Sequence, residues 1–217
     1  LNVAAAALEC GSRLIFSSTG GALYGEVPEG RAASEDWPAL PLSPYACSKA
    51  SFELYLRAYG QTSGLRYTIL RYGNVYGPRQ DPHGEAGVIA IFFQRLLQGE
   101  PIQVNARAEE GDAGCVRDYV YVRDCVRANL AACEGALDGR TINIATGVGI
   151  STRTLAERMV SIVGRPAIVG DGAYRPGDLE RSVLDPSVMV SILGPPTPFE
   201  RGLTATAEWF RNEAQGS

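Results

Sequence analysis

The stretch SPYACSKASFELYLRAYGQTSGLRYTILRYG, residues 43–73, holds a helix and the strand that follows it. Ser43-Pro44 is a helix start. The serine hydroxyl caps free N–H groups, and proline fits the first helical position, where its missing N–H costs nothing. Gly64 ends the helix near Ser63. RYTILRYG (66–73) is apolar and reads as a buried strand. Upstream, RLIFSS (13–18) is a second short apolar strand, preceded by an Ala-rich helix over residues 1–10 that stops at Gly11. Strand, helix, strand is the βαβ unit of a parallel sheet, so the fold class is α/β.

Past Gly77-Pro78 the texture changes. Residues 78–87 are polar and turn-rich, and a helix follows over 87–98. A short strand lies near 102–104, then a loop rich in Gly, Glu and Asp. VRDYVYV is a strand that enters the helix VRDCVRANLAACEG. TINIAT is a strand, STRTLAERMVSIVG a helix, YRPGDLERSVLD a loop with a strand, and a last helix ends near Arg211. No repeat or flexible linker separates the halves. The expected division is residues 1–77 and residues 78–217, with parts of the second returning to the first.

The composition is that of a globular chain: 217 residues, 45% hydrophobic and 20% charged. A net charge of −4 argues against nucleic acid as the main partner, because phosphate binding shows as a basic excess. No apolar run reaches the roughly 18 residues that span a bilayer, so no membrane partner is expected. Five cysteines without metal-type spacing and a single histidine point to reduced thiols, no metal site and a cytoplasmic setting.

Lys49 is the only lysine among 20 lysines and arginines. Tyr45 stands four residues before it, on the same face of the helix. A phenol with a pKa near 10 is a poor base at neutral pH, but a cation a few ångströms away favours the phenolate. An ammonium does this as a compact charge, where a guanidinium would bring a wide planar fork. Ser17, Ser18 and Thr19 end the RLIFSS strand, at the strand ends where open α/β sheets bind ligands.

STGGALYGEVPEG, SPYACSK, RYGNVYGPRQDPHGEAGV, CVRDYVYVRD and RPGDLERSV, in this order, resemble the extended short-chain dehydrogenase/reductases, and within them the UDP-glucose 4-epimerases. The likeness runs from Leu1 to about Arg211. It implies a partial Rossmann-type doubly wound parallel sheet with a smaller interleaved α/β substrate domain. It implies NAD as cofactor, a UDP-sugar as substrate and a homodimer. Tyr45 would be the acid/base, Lys49 its partner and a ligand of the nicotinamide ribose, and Thr19 the hydroxyl on the sugar O4, with Ser18 as the second choice. Ser17 and Tyr72 would lie on the cofactor side. Asn74 would bind diphosphate or sugar, and Val88, Ile89, Val104 and Asn105 would flank the nucleotide. Arg117 and Arg175 would bind the diphosphate and Asp178 the uridine ribose. Ser182 would line the sugar pocket, and so small a residue would leave room for N-acetyl sugars.

Two features depart from the family pattern. No glycine-rich dinucleotide fingerprint is present, and Leu1 opens on what reads as the back half of a helix. The expectation is a chain that lacks the front third of its Rossmann domain, inactive and poorly stable alone because of an open sheet edge. Thr19 is followed by Gly20-Gly21, where the related 4,6-dehydratases carry an Asp-Glu pair. Other sugar-nucleotide enzymes of the family, and a nucleotide-sensing protein without chemistry, are the alternatives.

Overall fold

The computed structural model describes residues 1–83, 87–174 and 177–216. In order the elements are α1 (Asn2–Glu9), β1 (Leu14–Thr19), α2 (Pro44–Ser63), β2 (Tyr67–Tyr72) and β3 (Asn74–Tyr76). Then come α3 (Val88–Gln98), β4 (Ile102–Asn105), β5 (Val116–Tyr121), α4 (Val122–Cys133), β6 (Thr141–Ile144) and β7 (Gly149–Ser151). The last are α5 (Thr152–Val163), β8 (Val169–Gly172), β9 (Arg181–Ser182), α6 (Ser187–Leu193) and α7 (Phe199–Gly216). No helix among the described residues is long and apolar enough to cross a membrane.

The first sheet has the order β1-β2-β6, all parallel. Alternation along β2 sorts its side chains to two faces. Ile69 packs with Ala4, Ala7, Leu56 and Leu65 under α1 and α2. Its neighbour Leu70 packs with Val120, Ala128, Ile142, Ile144 and Met189 under α4 and α6. Helices on both faces make this a doubly wound sheet. α2 forms where Ser43 caps it, its side chain accepting from Ala46 N at 3.2 Å, with Gly64 in the left-handed conformation at its end.

A second group of strands is built from β3 and the other half. β3 and β5 are parallel, β7 joins β5 antiparallel, and β9 pairs with β5 as well. β4 and β8 form a separate parallel pair. Phe93, Leu96, Met159, Leu203 and Phe210 of α3, α5 and α7 fill the core around them. The chain does not divide cleanly at residue 77: α4, β6 and α6 return to the first sheet and complete it.

Asp118 on β5 ties the two groups together. Its carboxylate is buried and accepts from Thr146 N (2.9 Å), Thr146 Oγ1 (2.6 Å), Gly147 N (2.9 Å) and Leu184 N (3.3 Å). Burial pushes its pKa upward, and these donors counter the push. Replacing Asp118 by Asn sets an amide NH₂ against backbone donors and leaves at least one unpaired. The expected loss is about 3 kcal/mol of stability, read from urea unfolding.

Candidate active site

β1 and β2 run in register Ser17↔Leu70, Ser18↔Arg71 and Thr19↔Tyr72, so their C-terminal ends lie side by side. The crossover from β1 delivers the first turns of α2 to the same end. Lys49 Nζ donates to the carbonyl of Ser17 at 2.8 Å. The ammonium also lies 5.0 Å from the ring centre of Phe16 and 5.6 Å from that of Tyr45. Tyr45 is more than half exposed and faces a cavity of about 480 Å³ with Thr19, Gly21, Asn74, Arg117 and Asp178. Thr19, Tyr45 and Lys49 thus meet at the end of one βαβ unit.

The two hydroxyls weighed for the sugar, Ser18 and Thr19, point to opposite sides of the strand. Thr19 lines the cavity. Ser18 is buried and donates to Glu53 Oε1 at 2.5 Å, away from it. Ser17 is exposed, with its Oγ 3.5 Å from the phenol of Tyr72. That phenol accepts from Asn129 Nδ2 at 2.8 Å. Burial of the Tyr72 ring raises its pKa, so it stays protonated at neutral pH.

A second cavity of about 500 Å³ adjoins the first and shares Asn74, Arg117 and Asp178 with it. Its walls come from α3, β4 and β5. Val88 and Asn105 line it, as expected from the sequence. Ile89 and Val104 do not. Both side chains are buried in the core, one residue out of phase with the cavity. Arg117 gives one N–H to the carbonyl of Val116 (3.0 Å) and has no carboxylate within ion-pair reach among the described residues. Asp178 is exposed at the junction of the cavities. Arg175 lies outside the described residues. Ser182 is buried on β9 and is not among the lining residues; its Oγ lies 3.9 Å from where a β-carbon on Gly21 would stand.

Several lining residues were not expected. Ile91, Phe92 and Arg95 share the face of α3 that carries Val88. Tyr119 shares one face of β5 with Arg117, and Cys115, just before the strand, keeps the alternation. Both periodicities were available in the sequence. Gln103 joins them from β4, its Nε2 held by the carbonyl of Asp171 at 3.1 Å. At the rim of the first cavity, a β-carbon on Gly20 would overlap the buried side chain of Leu184. One on Gly21 would stand 3.3 Å from Asn74 Oδ1.

Residues 1–145 match the NAD dependent epimerase/dehydratase family. The UDP-glucose 4-epimerase of Mycolicibacterium smegmatis is 41% identical over 205 residues, covering 94% of this chain and 64% of that protein. The structure superposes on that of the Thermus thermophilus UDP-glucose 4-epimerase in complex with NAD with a TM-score of 0.88 and 50% identity. That match covers 97% of this chain and 68% of the other. UDP-glucose 4-epimerase of Thermotoga maritima with UDP-glucose gives a TM-score of 0.86 at 43% identity, covering 96% and 66%. The chain therefore spans about two thirds of the length of these relatives.

The loop between Asn105 and Cys115 borders the second cavity and is organised by one carboxylate. Asp112 accepts from the backbone N–H groups of Arg107, Ala108, Glu109 and Gly114 at 2.7 to 3.2 Å. These bonds hold its pKa well below the ordinary carboxylate value. A depressed folded pKa adds loop stability that is present above the unfolded value and lost as pH falls through the folded one. Asp112→Asn removes it at every pH. Amide exchange across residues 107–114 is expected to quicken at least tenfold in the variant, with α7 unchanged, as measured by mass spectrometry.

Proposed function

The chain belongs to the NAD-dependent epimerase/dehydratase family, and from that premise we propose that it carries the proton-transfer and sugar-nucleotide apparatus of a UDP-hexose 4-epimerase. The observation that carries the reading is that Thr19 and Tyr45 line one cavity, with Lys49 bonded to the Ser17 carbonyl behind them, and that this cavity continues, past Asn74, Arg117 and Asp178, into a second. A hexose seated in the first cavity presents its 4-hydroxyl to Tyr45, and its nucleotide extends into the second. Tyr45 takes the 4-hydroxyl proton and later returns it. Lys49 stands beside Tyr45, its ammonium 5.6 Å from the ring centre and bonded to the Ser17 carbonyl. Thr19 hydrogen-bonds O4, and Arg117 clamps the diphosphate as a charge-assisted donor while the sugar presents its other face. Asp178 accepts from ribose hydroxyls.

The residues present fit the nicotinamide end of NAD. Lys49, Ser17 and the phenol of Tyr72 cluster at the C-terminal ends of parallel strands, the usual binding edge of such a sheet. When bound, NAD supplies hydride acceptance and return at the sugar C4. No glycine-rich turn for its diphosphate occurs in the 217 residues.

The rim glycines favour epimerisation over the family's elimination reaction. Gly20 and Gly21, the two positions directly after Thr19, hold no carboxylate, and a β-carbon on Gly20 would require Leu184 to shift. Exposed Leu54 and Tyr55 on α2, with Leu1 and Val3 at α1, support a homodimer through these helices.

The test uses the full-length protein with UDP-galactose and no added NAD. The expected result is UDP-glucose in the NMR spectrum. Tyr45→Phe should lower kcat by about 10²–10⁴-fold without a change in thermal unfolding. Absence of product even with NAD+ added, or a fully active Tyr45→Phe enzyme, overturns the reading.

A further inference from the structure

α2 touches β1 at two successive turns. Lys49 donates to the backbone of Ser17, and Glu53, one turn on, accepts from the side chain of Ser18. The two strand residues are adjacent in sequence, and so are their partners along one face of the helix. Glu53 is 3% exposed. Its carboxylate is also held by Arg71, whose Nε lies 3.1 and 3.2 Å from the two oxygens and whose Nη2 lies 2.6 Å from Oε2. Arg71 is itself fixed. Its Nη1 donates to Tyr24 Oη (2.8 Å) and to the carbonyl of Glu35 (3.0 Å). Tyr24 in turn donates to Asn143 Oδ1 on β6 at 2.7 Å. Ser18, Arg71 and Asn143 belong to the three adjacent strands of the first sheet, so one hydrogen-bonded row crosses the sheet and ends on the helix.

We propose that Ser18 and Glu53 are positioning residues that set the rotation and axial position of α2, and thereby aim Lys49 and Tyr45 at the reacting hydroxyl. Neither lines the cavity that Tyr45 faces. Their effect passes through geometry. The Lys49 arm is long and flexible, and its bond to a strand carbonyl alone would not stop the helix from rolling. The Glu53 carboxylate is short, buried and bonded from two strands, so the roll is blocked one turn below the reacting pair. A misplacement of about 1 Å in a reacting group is enough to cost up to 10²-fold in rate.

The inference rests on Tyr45 and Lys49 being the reacting pair, so its test has two independent readouts on the full-length protein. Ser18→Ala removes one hydroxyl and keeps the Glu53–Arg71 pair. Glu53→Asp keeps the charge and shortens the arm by one methylene. Both are expected to lower kcat ten- to hundredfold with KM for the UDP-sugar within twofold of wild type, while Ser18→Thr restores most of the rate. Ala207→Gly, a destabilising change in the other core, serves as the control and keeps kcat. Hydrogen exchange is the second readout. Amides of the first two turns of α2 should lose protection in both variants while α7 keeps its own. Wild-type kcat in both variants overturns the proposal, and so does unchanged exchange across α2. A wild-type protein that turns over no UDP-sugar instead overturns the functional reading, and the exchange data still decide whether the row anchors the helix.

Discussion

The Glu53–Arg71 pair is the constraint around which the first sheet and its helix are arranged. The two side chains are 4% and 6% exposed, and their closest approach is 2.6 Å. Removing two ions from water is costly, and their attraction offsets that cost only when geometry is good and the remaining lone pairs and protons are bonded. Here they are, by Ser18, Tyr24 and a backbone carbonyl. An apolar pair of the same volume would also fill the space. It would not select one register of α2 over β1 and β2, and that selection fixes where Tyr45 and Lys49 stand.

The site itself is made at a seam. The chain leaves β2, passes Gly73, and enters β3, which belongs to the other group of strands. A β-carbon at Gly73 would stand 2.8 Å from the carbonyl of Asp118. Only a glycine lets the backbone pass that closely. The passage brings Asn74 and, through the β3–β5 pairing, Arg117 to the mouth of the first sheet. Thr19, Tyr45 and Lys49 therefore come with the first sheet, and Asn74 and Arg117, at the cavity junction, with the second group of strands. Asp118, which bonds across the same seam, keeps the two in a fixed relation.

The sequence carried most of the first sheet. A capped 20-residue helix between two apolar strands leaves little choice, and the Tyr45–Lys49 spacing is legible because both lie on that helix. Three short strands were not legible. β3, β7 and β8 have three or four residues each, and β7 and β8 contain glycine. Such segments become strands because long-range partners present free backbone groups, which no local pattern records. α6 was hidden by its β-branched residues, Val188, Val190 and Ile192, which favour strand locally. Around the second cavity, resemblance placed Val88, Ile89, Val104 and Asn105 there as two adjacent pairs. On α3, Ile89 lies off the stripe of Val88, Ile91, Phe92 and Arg95 that lines the cavity, and on β4 adjacent residues point to opposite faces, so Val104 falls in the core. Ser18 and Thr19 divide for the same reason.

Leu184 packs against the backbone of Gly20, and that contact has a consequence for descent. An enzyme of this family that gained an acid after its threonine would gain the means to expel water from the keto sugar. In this chain a side chain at position 20 requires the buried Leu184 to move, because a β-carbon there would overlap its Cδ2. The leucine thus couples the choice of residue after Thr19, and with it the routes open to descendants of this chain, to repacking in the core.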